Sequence, residues 1–184
     1  IAGVWEEAPE FIKTTMDGSQ VATLTGRFYL WQKKNEKGDL VEFQADSAVL
    51  FYDDDQPGAE TGKSDEGFTG VKSAHFQGNI IMVEGERTIR ADELYYDFEN
   101  TQALVVNAEM RKFDETRGIP IYLRAVKLRK VTENVFEAEK VTLTTSEFYL
   151  PQISMTASKM VLTDLTGVDE RAGKAVDDSK YDGI

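Results

Sequence analysis

The chain contains no cysteine, which excludes disulfides, thiolate metal sites and cysteine nucleophiles together. Imidazole is nearly absent too: His75 is the one histidine, no serine elbow accompanies it, and no catalytic role is expected of it or of any other residue. No run of eighteen apolar residues occurs, so no transmembrane segment is expected. Positive charge is short as well. The formal net charge is −12, and no basic patch stands out that would suit a nucleic-acid backbone or an anionic surface. The excess is localised. Residues 53–66 carry a net −5 and residues 164–184 a net −3, which leaves the rest of the chain close to balanced. The opening Ile-Ala-Gly-Val-Trp, without Met or a basic leader, reads as a mature form or an excised fragment.

At 184 residues, 41% of them hydrophobic, the chain has enough apolar surface for one domain with a real core. What fills that length is a recurring phrase: apolar, any, Ala, any, any, apolar, any, apolar. It occurs at Phe43–Ala45–Ala48–Leu50, Ile89–Ala91–Leu94–Tyr96, Leu123–Ala125–Leu128, Phe136–Ala138–Val141–Leu143 and Met155–Ala157–Met160–Leu162. In the third copy Lys130 takes the last apolar place. Up to each Ala the apolar positions are two apart, as on a strand with one buried face. After it the phase slips by one residue, which would turn the buried face outward unless the backbone bulges or turns a corner there. Ala suits the inside of such a corner. Five corners predict a sheet folded on itself, its strands bent across two facing halves.

Along the chain, residues 1–20 read as irregular or as a short helix over Trp5–Met16, weakened by Pro9 and Thr14-Thr15. From residue 21 to 164 the texture is β, with turn signals at Glu84-Gly85, Glu99-Asn100, Glu115–Gly118, Glu133-Asn134 and Pro151 and no helical stretch between them. That spacing excludes parallel βαβ architecture. Residues 53–74, acidic and Gly-rich with Pro57, read as a surface loop inserted between strands. Residues 165–184 read as a polar, flexible tail with a weak helix near Glu170–Val176. The fold class expected is therefore all-β and antiparallel, in one domain.

Gly78-Asn-Ile-Ile-Met-Val-Glu-Gly85, followed by Ile89-Arg-Ala-Asp-Glu-Leu-Tyr-Tyr-Asp97, resembles the OstA-like family. These are the LptA-like periplasmic lipopolysaccharide-transport proteins and the N-terminal periplasmic region of the outer-membrane translocon. Residues 44–48 and 156–164 echo the phrase, so the resemblance covers roughly residues 21–164. It implies an antiparallel β-jellyroll shaped like a folded taco, whose greasy interior holds acyl chains. It further implies end strands that pair with neighbouring modules, a periplasmic location, and a role in outer-membrane biogenesis. The acidic loop 53–74 and the scarcity of basic residues for lipid phosphates depart from the family pattern.

On this reading the lipid-binding groove comprises Phe43, Leu50, Ile89, Leu94, Tyr96, Leu123, Phe136, Val141, Leu143, Met155, Met160 and Leu162, and the ordinary alternative for the same residues is a closed core. The strands near Val21–Trp31 and Phe148–Leu162 are the expected exposed edges. Asp46 and Asp92, which follow Ala, are expected on the solvated side, and Asp53-Asp54-Asp55 lacks the alternating spacing of a calcium loop. No cofactor and no metal are expected. Two other readings stand beside lipid transport: a structural module that joins neighbours without a ligand, and a carbohydrate-binding or hydrolytic β-sandwich, for which Trp5 and Trp31 are too few and too separated.

Overall fold

The computed structural model describes residues 2–5, 10–16, 19–33, 40–52, 71–114, 117–163, 167–169, 174–176 and 180–183. Every regular element among them is a strand. Two short strands lead in, β1 (Ala2–Trp5) and β2 (Glu10–Met16). Eight long ones follow: β3 (Ser19–Lys33), β4 (Leu40–Tyr52), β5 (Val71–Glu84), β6 (Arg87–Asp97), β7 (Gln102–Asp114), β8 (Ile119–Lys130), β9 (Val135–Thr144) and β10 (Met155–Thr163). Each of these pairs antiparallel with the next, so the body is a meander that does not close into a barrel. The chain ends with β11 (Gly167–Asp169), β12 (Lys174–Val176) and β13 (Lys180–Gly183); β11 pairs with β12, and β13 with the end of β10.

One line of irregularity crosses all eight long strands. In β4 and in β6 through β10 the inward residues step by three where the phase slips: 45 to 48, 91 to 94, 105 to 108, 125 to 128, 138 to 141 and 157 to 160. In β3 and β5 they step by four, 24 to 28 and 76 to 80, because each inserts one residue more than its neighbours. Strand pairing places all these steps at one level, so they form a crease. On one side of it Phe28, Ala45, Ile80, Ala91, Ala108, Ala125, Val141 and Ala157 make a row; on the other Leu24, Ala48, Phe76, Leu94, Val105, Leu128, Ala138 and Met160 do. We call the half bearing the first row the upper panel and the other the lower panel.

The two panels face each other. Phe43 of the upper panel stacks on Phe76 of the lower, with centroids 4.8 Å apart and planes within 7°. It also meets Tyr96 edge-on at 5.0 Å, while Phe28 approaches Phe76 at 6.3 Å. Contacts of this kind contribute roughly 0.5–1.5 kcal/mol each beyond their burial. They can form only if the sheet doubles back. The structure is thus the all-β, folded antiparallel arrangement anticipated, with alanines inside the fold: Ala45, Ala91, Ala125 and Ala138 are all buried.

The ends differ from expectation. Residues 10–16 are strand, because Phe, Ile and the β-branched Thr14-Thr15 suit an extended chain better than a helix. With β1 they line β3, so the segment near Val21–Trp31 is not an open edge. Residues 174–176, inside the expected weak helix, are strand, and 180–183 pair antiparallel with the end of β10. Of the acidic loop, residues 53–70 lie outside the described residues, and 71–74 already belong to β5.

Candidate functional site

Strand pairing aligns a second pair of inward rows behind those at the crease. The upper row runs Leu30, Phe43, Met82, Ile89, Met110, Leu123, Leu143, Met155; the lower runs Ala22, Leu50, Ala74, Tyr96, Ala103, Lys130, Phe136, Leu162. The groove residues anticipated from the repeats therefore fall in these rows and the crease rows. Phe43, Leu50, Ile89, Leu94, Tyr96, Leu123, Phe136, Val141, Met160 and Leu162 join one apolar cluster, and Leu143 packs against it half-buried. Met155 does not. At the start of the last long strand, where the upper panel runs out of neighbours, it is 49% exposed.

The interior is continuous from β3 to β10, and among the described residues its buried charged side chains are Glu84 and Lys130, which meet each other, and Asp114 at the end of β7, which pairs with Arg117. Lys130 fills the position where the third repeat lacks its apolar residue, and it is 1% exposed. Its Nζ donates to Glu84 Oε1 at 2.5 Å and lies 5.8 Å from the centroid of the Tyr96 ring. Glu84 closes β5 in the upper panel and Lys130 closes β8 in the lower, so this ion pair joins the two panels far from the crease. Arg87 reinforces it. From the upper panel it lies 3.8 Å from Glu84, donates to the carbonyl of Glu133 at 3.0 Å, and sits 5.2 Å over the ring of Phe136. Strand pairing sets Lys112 beside Arg87 on the same row. A buried pair of this kind costs desolvation that its attraction only just repays, but leaving either partner alone is expensive. Burial, then the carboxylates of Glu84, Glu133 and Asp97, push the Tyr96 phenol well above its ordinary value against the opposing charge of Arg87, so it stays neutral beside the pair.

The outer side of the crease carries its own polar hardware. Asn79 and Asn107 have positive φ angles of 44° and 52°, and Lys140 has 52°; Gly26 and Gly78 have 106° and 80°. All five lie on odd-numbered strands at the crease. Asp46 Oδ2 accepts from Asn79 Nδ2 at 2.6 Å, and Asp92 Oδ2 accepts from Asn107 Nδ2 at 2.8 Å. The Asp that follows Ala is thus on the solvated side as anticipated, and it clasps a left-handed Asn on the next strand. His75 also faces outward, with Nε2 3.8 Å from Glu93 Oε2 and both side chains nearly half exposed.

Comparison with protein-family models and with curated proteins gave no match. The site is defined by geometry: two facing apolar panels, a crease on one side and a charged latch on the other. Asp53-Asp54-Asp55 lies outside the described residues. Sequence reading passed over Phe28 and Phe76 as lining residues, because β3 and β5 place Gly rather than Ala at the crease; Met82 was read, with Met110, Met155 and Met160, as an adaptable lining. Lys130 was visible as a flaw in a repeat, but its partner Glu84 lies 46 residues away and no local spacing connects them.

Proposed function

We propose that this chain is a non-catalytic lipid-transport module of the periplasm, which takes lipopolysaccharide-type acyl chains between its two panels. The observation that carries the reading is a continuous apolar interior lined by both halves of one sheet, with its buried ion pair at the rim away from the crease. Acyl burial there would supply roughly 0.8 kcal/mol per methylene. Separating the panels at the latch would release Lys130 from Glu84, and Arg87 from the Glu133 carbonyl and the Phe136 ring, and offer both cations to the phosphates of an amphiphile, a charge-assisted exchange. Met82, Met110 and Met160 in the lining suit a surface that must adapt to flexible chains. Transfer between modules would use strand addition. Among the described residues Met155–Lys159 have a strand neighbour on one side only, β9.

A second reading, a structural module that binds neighbours without a ligand, is favoured by the tightness of the interior. Leu24, Leu50, Phe76, Leu94 and Leu128 have no exposed surface. One paired experiment separates the two. A photoreactive residue at Leu94, inside, is compared with one at Tyr95, which is 40% exposed on the other face of the same strand. Lipopolysaccharide adducts at Leu94 and few at Tyr95 are expected; equal labelling, or labelling only at Tyr95, contradicts lipid carriage and leaves the structural module.

A further inference from the structure

The connection between β9 and β10 presents an apolar cluster to solvent. Phe148 is 71% exposed, Tyr149 84%, Leu150 83% and Ile153 85%, and Met155 follows at 49%. Soluble surfaces carry single exposed apolar residues without consequence, but a contiguous set of this size marks a contact. No charged side chain lies between Phe148 and Met155.

The segment is held in place. Arg124, on the outward phase of β8, donates from Nη2 to the carbonyl of Glu147 at 3.0 Å, and from Nη1 to those of Phe148 at 2.8 Å and Tyr149 at 3.4 Å. The Nε of Arg124 is itself fixed by Glu109 Oε2 at 2.6 Å, and its guanidinium carbon lies 6.0 Å from the Tyr149 ring centroid. Thr144 Oγ1 donates to the carbonyl of Ile153 at 2.7 Å and accepts from the amide of Ser146 at 3.1 Å; Ser146 Oγ accepts from the amide of Phe148 at 3.3 Å. Four carbonyls and two amides of an exposed connection are therefore satisfied internally.

We infer that this connection is a docking wedge for a lipid surface: Phe148, Tyr149, Leu150 and Ile153 enter the interfacial layer of a zwitterionic bilayer. Hydrocarbon offers no hydrogen bonds, so the carbonyls of Phe148, Tyr149 and Ile153, already paired within the chain, lose less on leaving water for lipid. A wedge that captured a partner strand would instead keep those groups free. Aromatic and aliphatic tips without charge suit the headgroup boundary. The net charge of −12 selects a zwitterionic surface over an anionic one. The wedge lies outside the interior and stands even if no acyl chain binds between the panels.

The test is co-sedimentation of the full chain with phosphatidylcholine vesicles, alongside the triple variant Phe148→Ser/Leu150→Ser/Ile153→Ser. These residues are exposed, so the variant should keep the wild-type melting temperature, and circular dichroism checks this. Vesicle partitioning is expected to fall by at least about tenfold. A Tyr149→Trp variant should show added fluorescence that brominated phosphatidylcholine quenches. Partitioning unchanged in the triple variant, absence of wild-type binding, or a wild-type dimer that the triple variant converts to a monomer would each overturn the inference, the last by giving the wedge to a second copy.

Discussion

Tyr52 ends β4 with its ring in the core, and its hydroxyl has no hydrogen-bond partner among the described residues. Burial without a partner pushes its pKa above the ordinary phenol value. Removing a buried, unsatisfied hydroxyl should cost nothing, so Tyr52→Phe is expected to leave stability unchanged or raise it by up to about 1 kcal/mol in urea unfolding; a loss would show that the oxygen has a partner. Lys130 is the opposite case. Lys130→Ala removes the nearer cation from buried Glu84, leaving Arg87 at 3.8 Å, and should cost up to about 3–5 kcal/mol, while the double change Glu84→Leu/Lys130→Met should recover most of that in the same assay. From the sequence Lys130 registered as an interruption, since a lysine at an inward position makes sense only when its distant carboxylate is known.

The crease belongs to the scale of the strand. Its Ala positions were legible because a shift from two-residue to three-residue steps leaves a mark in the apolar pattern. Its left-handed residues were not, because nothing local to Asn79, Asn107 or Lys140 marks a positive φ, and the carboxylates that meet the two asparagines, Asp46 and Asp92, lie on neighbouring strands. β7 escaped notice for a related reason: its Ala108 follows the slip instead of preceding it. Gly78 is the tightest point. A Cβ there would lie 2.9 Å from Asp46 Oδ2 and 3.2 Å from Asp46 Cβ at a φ of +80°. Gly78→Ala should therefore destabilise by roughly 1–3 kcal/mol, whereas the same change at Gly85, in an open turn, costs only its positive φ, about 1 kcal/mol. Equal losses in chemical denaturation would refute the close approach.

At the scale of the whole molecule the folded sheet was readable from the chain, since five of its eight long strands, β4, β6, β8, β9 and β10, repeat one instruction. The edges were not, because β1, β2 and β13 add by main-chain pairing that side-chain patterns record weakly. The tyrosines set an alkaline limit. Burial, with the hydrogen bond to Glu42 and that residue's charge, raises Tyr29 to about 12, and burial also raises Tyr52 and Tyr96. Folded phenols thus hold protons that unfolded ones release near pH ~10, so this contribution is complete below about pH 10 and is lost as pH rises through the folded values. The urea midpoint should be level up to about pH 9 and fall between about pH 10 and 12; a midpoint that held through that range would contradict the burial of these phenols.

The central claim is that one sheet, creased along its middle, opens at the latch to admit acyl chains. The absence of cysteine makes it accessible to spin labelling. Labels at Glu86→Cys and Thr132→Cys, both on exposed positions flanking the latch, report the gap between panels; labels at Glu86→Cys and Arg111→Cys report one panel alone. On addition of lipopolysaccharide the first distance should lengthen and the second stay fixed. A first distance that does not change while lipid is bound would contradict the account.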